Sequence, residues 1–85
     1  MASYRVDISR AAETELDGLD APDRDRLIAR IRTLSENGRP FGYEKLSGAA
    51  KYRLRQGDYR IVYKINDGQS VVTVMKIAHR RDVYR

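Results

Sequence analysis

The chain has 85 residues, with 17 Lys and Arg against 12 Asp and Glu for a formal net charge of +5, one His, six Tyr and neither Cys nor Trp. A chain this short supports one modest core with no second lobe or deep cofactor cleft, which excludes the large cofactor-dependent enzymes. The lack of Cys removes disulfides and thiolate nucleophiles, a single His with few clustered acids offers no metal cage, and no run approaches the ~18 apolar residues of a membrane span.

In chain order, Tyr4, Val6 and Ile8 alternate with Arg5 and Asp7, the period of a half-buried strand. Ser9 then offers an N-cap for a short helix that carries Ala12, Leu16 and Leu19 on one face and ends about Asp17–Leu19. Asp20-Ala21-Pro22 restarts the chain, and Leu27, Ile28, Ile31 and Leu34 form the apolar stripe of a second helix ending near Asn37-Gly38. Residues 39–51 hold Pro40, Gly42 and Gly48 and read as a connecting loop anchored by Leu46. Three β-rich runs follow: Tyr52–Gln56, Tyr59–Ile65 and Ser70–Ala78. They are separated by the hairpin signals Gly57-Asp58 and Asn66-Asp67-Gly68. The expected fold is α+β over a single domain, 1–85: a small antiparallel sheet with an N-terminal two-helix hairpin packed on one face, in the order β-α-α-β-β-β.

The charge is segregated. Residues 1–44 hold seven Lys/Arg and nine Asp/Glu, net −2, whereas residues 45–85 hold ten and three, net +7. A field of this kind suits a polyanion, nucleic acid before membrane, or simply a solvated surface. A two-residue turn at Gly57-Asp58 decides where the cations fall. It sets Arg55 opposite Arg60, Leu54 opposite Ile61, Arg53 opposite Val62 and Tyr52 opposite Tyr63. Tyr52, Leu54, Ile61, Tyr63 and Ile65 then share the face that receives the helices, and Arg53, Arg55 and Arg60 gather on the other. Like charges directly opposite on a sheet are destabilising, so the arginines read as a grip for an anion such as phosphate, to which the guanidinium fork is suited. A second tight turn at Asp67-Gly68 would pair Tyr63 with Val72, Ile61 with Val74 and Arg60 with Met75. It would also bring the tail, with His79, Arg80, Arg81 and Tyr84, back toward the cluster. His79 is the simplest candidate proton carrier near neutral pH.

Leu46-Ser47-Gly48, Tyr52-Arg53-Leu54-Arg55, Gly57-Asp58-Tyr59-Arg60-Ile61-Val62-Tyr63 and His79-Arg80-Arg81-Asp82-Val83-Tyr84 together resemble the RelE branch of the RelE/ParE toxin superfamily of type II toxin–antitoxin modules. The resemblance implies a cytoplasmic, ribosome-dependent endoribonuclease that cuts mRNA in the ribosomal A site and so arrests translation and growth. It implies as partners a RelB-like antitoxin and the ribosome with its A-site mRNA, with operator DNA met only through the antitoxin, and no membrane, cofactor or metal. The matching catalytic positions are Arg53, Arg55, Arg60, Arg80 and Tyr84. His79 is added as a proton carrier, because arginine does not readily give up a proton where relatives carry lysine. Lys45, Lys51, Arg81 and Arg85 are the expected further contacts to RNA. The implied chemistry is attack of a 2′-hydroxyl on the adjacent phosphate, which DNA cannot undergo. The alternative within the superfamily is a ParE-like inhibitor of DNA gyrase that cuts nothing, and beyond it a silent RNA-binding module.

Overall fold

The computed structural model describes residues 3–46 and 50–81. Strand β1 (Arg5–Ile8) leads through Ser9 into helix α1 (Arg10–Asp17), and α2 (Ala21–Thr33) follows directly. Strands β2 (Tyr43–Lys45), β3 (Lys51–Gln56), β4 (Tyr59–Asn66) and β5 (Val71–His79) complete one five-stranded sheet of order β1-β5-β4-β3-β2. The α+β class, both helices and the four expected strands are present, with α2 stopping at Thr33, short of the expected end near Asn37-Gly38. Two features of the sheet differ. Residues 43–45, expected within a loop, form the short edge strand β2, and β1 pairs parallel with β5, so the sheet is mixed rather than antiparallel throughout.

Ser9 joins sheet to helix. Its hydroxyl oxygen accepts from the Ala12 amide at 3.1 Å, capping α1, and its hydroxyl donates to the Met75 carbonyl at 3.0 Å. Beyond the end of β1, the Ile77 amide of β5 donates to Glu15 Oε1 at 3.0 Å, so α1 closes the edge that β1 leaves open. The helices bury Ala12, Leu16, Leu27, Ile31 and Leu34 against Tyr52, Leu54, Ile61, Tyr63, Val72, Val74 and Ile77, the face expected from alternation.

The β3–β4 hairpin has the expected register throughout, from Gln56 opposite Tyr59 to Tyr52 opposite Tyr63. Gly57 takes φ +59°, the left-handed value needed at the first central position of a II′ turn. The β4–β5 register is different. Asn66 pairs with Val71 across a four-residue loop, and Met75 bulges between the pairs Tyr63↔Val74 and Val62↔Lys76. Tyr63 therefore faces Val74, Ile61 faces Ile77 and Arg60 faces Ala78, in place of the pairs that a tight turn would give. The Asn66 side chain holds the longer loop by accepting from the Gln69 amide at 3.0 Å.

Polar bonds tie the segment after α2 to the sheet. The buried Tyr63 hydroxyl donates to the Gly38 carbonyl at 2.8 Å, and burial pushes this phenol up to about 12, so it stays a donor. A Cβ on Gly38 would lie 3.0 Å from Ile65 Cδ1, so the close approach of the chain there suits a residue without one. Arg39 then clamps Asp67 through Nη2 at 3.1 Å, with Nη1 at 3.5 Å from the other carboxylate oxygen, while the Tyr4 hydroxyl donates to Asp67 Oδ1 at 2.6 Å. The bonds from Arg39 and then Tyr4 hold the Asp67 carboxyl below the usual carboxylate range. A depressed folded-state value means that the clamp contributes fully above the unfolded carboxylate value of about 4, and loses its contribution as the pH falls through the folded one. The gap in urea midpoint between the parent and Asp67→Asn is accordingly expected to hold steady near neutrality and to close as the pH drops below about 4. A gap that stays constant through acid would refute the clamp.

Candidate functional site

Alternation along the strands leaves one face of the sheet uncovered by helices, and the observed register orders it into ranks. Across the end nearest the Gly57 turn lie Arg55, Arg60 and Ala78; across the middle lie Glu44, Arg53, Val62 and Lys76; across the far end lie Lys51, Lys64, Thr73 and Asp7. Cross-strand partners sit about 5 Å apart at Cβ, so Arg55 and Arg60 are direct neighbours, with Arg53 one rank away. The expected arginine cluster is present.

Each arginine is held differently. Arg60 turns back on the hairpin, its Nη1 donating to the Tyr59 carbonyl at 2.9 Å and the Gly57 carbonyl at 3.3 Å. Arg53, with only 14% of its side chain exposed, donates through Nη2 to Glu44 Oε2 at 2.7 Å. Arg55 is exposed. Arg80 arrives where the tail was expected to converge: its amide donates to the Asp58 carbonyl at 2.7 Å, and its Nε lies 3.7 Å from Asp58 Oδ1. Arg81 is exposed beside it. Tyr84 and Arg85 lie outside the described residues.

His79 is not brought to the cluster. It pairs with Tyr59, an inward position, because the four-residue loop and the Met75 bulge shift β5 by three residues from the tight-turn register. Its ring meets the Tyr59 ring edge to face, with centroids 5.4 Å apart, in a small cavity of about 130 Å³ shared with Asp23, Arg26 and Asp58. The Arg81 amide donates to His79 Nδ1 at 3.3 Å. This register sets the imidazole on the helical side, on the opposite face of the sheet from Arg53, Arg55 and Arg60. Lys45 likewise lies off the arginine face. It faces Tyr52 across β2–β3 and belongs to the helical side, whereas Lys51 lies on the open face as expected.

The sequence reading missed Glu44, a carboxylate inside the cluster, because 39–51 read as loop. The alternation of Tyr43, Glu44 and Lys45 was the available signal. Glu44 supplies what the arginines lack: an oxygen able to accept a proton. The face therefore combines fixed cations for a phosphate with a carboxylate beside them, enough for general-base and charge-stabilising chemistry on a phosphodiester.

The family model described as the ParE toxin of the type II toxin–antitoxin system parDE matches residues 6–84. The chain belongs to this family. A stretch of 37 residues is 38% identical to Toxin RelG of Mycobacterium tuberculosis, covering 44% of this chain and 42% of that protein, so this match spans less than half of either. Among solved structures, the archaeal RelE of a RelE–RelB complex from Pyrococcus horikoshii OT3 superposes with a TM-score of 0.84 at 29% identity, over 95% of this chain and 99% of that one. An Escherichia coli RelE variant bound to an antitoxin RelBc peptide superposes with a TM-score of 0.75 at 31% identity, over 99% and 92%. The protein is thus a toxin of the RelE/ParE superfamily, as the sequence motifs implied. In this toxin no described helix is long and apolar enough to cross a membrane.

Proposed function

We propose that the toxin is a ribosome-dependent endoribonuclease that cuts mRNA in the A site. The observation that carries this reading is the open-face cluster, Arg55 directly opposite Arg60 with the Arg53–Glu44 pair one rank away. Such an arrangement opposes sheet stability and fits a phosphate. In the proposed reaction the Glu44 carboxylate takes the proton of the RNA 2′-hydroxyl, whose oxygen attacks the adjacent phosphorus. Charge growing on the non-bridging oxygens is met by Arg55, Arg60 and Arg53, with Arg80 at the same end of the sheet. The bond to the 5′-oxygen breaks, leaving a 2′,3′-cyclic phosphate and a 5′-hydroxyl. From the resemblance, Tyr84 stacks on a base to fix the in-line geometry or acts as acid; the leaving 5′-oxygen takes its proton from Tyr84 in the second case and from water in the first, and Arg81 and Arg85 contact the RNA backbone. The ribosome supplies a held, extended substrate to a chain too small to enclose one.

The partner that restrains it is a RelB-like antitoxin, in keeping with the antitoxin-bound RelE structures that it resembles. The site lies on cytoplasmic business, translation, and the operator is reached only through that antitoxin. A second reading, a ParE-like inhibitor of DNA gyrase, is favoured by the name of the matching family model. The experiment that separates them is primer extension on mRNA bound to programmed ribosomes with purified toxin. A discrete cut within the A-site codon, abolished by a single 2′-deoxy substitution at the scissile position, is expected. Intact mRNA alongside inhibited gyrase supercoiling would establish the second reading instead.

A further inference from the structure

The open face carries a second like-charge pair. Lys51 and Lys64 stand directly opposite each other on β3 and β4, four residues along from Arg55 and Arg60. Both lysines are exposed. At about 3.3 Å per residue the two pairs are separated by about 13 Å, and a stacked strand rises about 3.4 Å per phosphate. The second pair is therefore about four stacked nucleotides from the first, or fewer if the strand is extended. Neither pair serves the sheet, since like charges directly opposite are destabilising.

Lys64 also borders a groove of about 660 Å³ with Arg5, Asn66, Gln69 and Thr73. Two acids line that groove, and both are already engaged: Asp7 by Arg5 Nη2 at 3.0 Å, and Asp67 by Arg39 and Tyr4. Their charge is thus matched locally, and the ammonium groups of Lys51 and Lys64 are left to face an anion. The polar side chains of Asn66, Gln69 and Thr73 can meet sugar hydroxyls and base edges in the same groove. An acidic peptide is the less suited occupant, because the seat is spaced in line with a phosphate cluster on the same continuous face.

We propose that Lys51 and Lys64 form a second phosphate seat, which holds the backbone of single-stranded RNA flanking the phosphate gripped by Arg55 and Arg60. This rests on the RNA-directed reading above, and the strand is taken to run along β4 across the open face. The seat makes substrate length, rather than only the scissile dinucleotide, a determinant of binding.

The test uses fully 2′-O-methylated RNA, which binds but cannot be cut, as a dinucleotide and as a hexanucleotide, with affinity measured over a range of salt concentrations. The parent toxin is expected to bind the hexanucleotide at least tenfold more tightly. The double variant Lys51→Ala/Lys64→Ala loses most of that gain, and its slope of log affinity against log salt falls by about 0.7 for each lysine removed. Arg26→Ala, which removes one cation from α2 on the far side of the sheet, controls for loss of a cation away from the seat and keeps both the gain and the slope. Lys51→Gln/Lys64→Gln repeats the measurement should the alanine pair unfold. A double variant that behaves like Arg26→Ala, or a parent that binds both lengths equally, overturns the second seat and leaves the nuclease reading standing. A parent that binds neither RNA and cuts no ribosome-bound mRNA overturns both.

Discussion

Arg55→Ala is expected to lower mRNA cleavage on ribosomes by about 10²-fold or more, while the protein unfolds at the same urea concentration as the parent or at a higher one. The two halves of this result have one cause. Arg55 is exposed and stands directly opposite Arg60, so its removal relieves a repulsion of some tenths of a kcal/mol and opens no cavity. The same removal takes away one of the cations that the proposed mechanism sets against charge on the phosphorane, and losing one such preorganised donor costs on the order of 3 kcal/mol of transition-state stabilisation. Stability and activity thus move in opposite or independent directions. Rates on programmed ribosomes together with urea denaturation would show this, and a variant that cuts at the parent rate would remove Arg55 from the site.

Ile61→Ala is expected to act in the reverse sense, through the fold. Ile61 is fully buried at the centre of the inward face, between Leu54 on β3 and Ile77 on β5. Truncating such a side chain costs about 2–5 kcal/mol, a transfer contribution plus the cavity left behind. Against the roughly 5–15 kcal/mol that holds a small domain together, this is enough to leave a sizeable unfolded fraction at growth temperature. The check is urea denaturation: a lowered midpoint with an unchanged slope is expected, whereas a loss under about 1 kcal/mol would mean that the helices do not pack on this face as described. Ile61 sits beside Arg60 in sequence but points to the other side of the sheet, so Ile61→Ala and Arg55→Ala separate folding from chemistry.

Much of this was legible because the β3–β4 hairpin is decided locally. Gly57-Asp58 fixes a two-residue turn, the turn fixes the register, and the register sorts Arg53, Arg55 and Arg60 from Tyr52, Leu54 and Ile61 before any tertiary information is used. The helices were legible for the same reason, through the Ser9 cap and the stripe from Leu27 to Leu34. What lay beyond local reading was whatever the rest of the molecule decides. Asn66-Asp67-Gly68 allows a tight turn, but the Arg39 and Tyr4 bonds to Asp67 belong to the longer loop observed. The Met75 bulge occurs where β1 stops and Ser9 takes over the strand edge. Together these shift β5 by three residues and carry His79 to the face opposite the arginine cluster. Glu44 escaped notice because β2 is only three residues long and exists through its pairing with β3. The parallel partnership of β1 with β5 left no local mark at all.

That partnership sets an order of assembly. Arg5 pairs with Val71, and β5 lies between β1 and β4, so the sheet is closed by the last of the described strands in chain order. While the chain is being synthesised, β1 has no neighbour to bond and α1 has no β5 edge to cover, so the N-terminal third cannot settle on its own. Long-range closure of this kind slows folding, since the entropy of joining distant segments must be met before the contacts reward it. The N-terminal strand of this toxin therefore waits on Val71–His79 before it has a neighbour to bond.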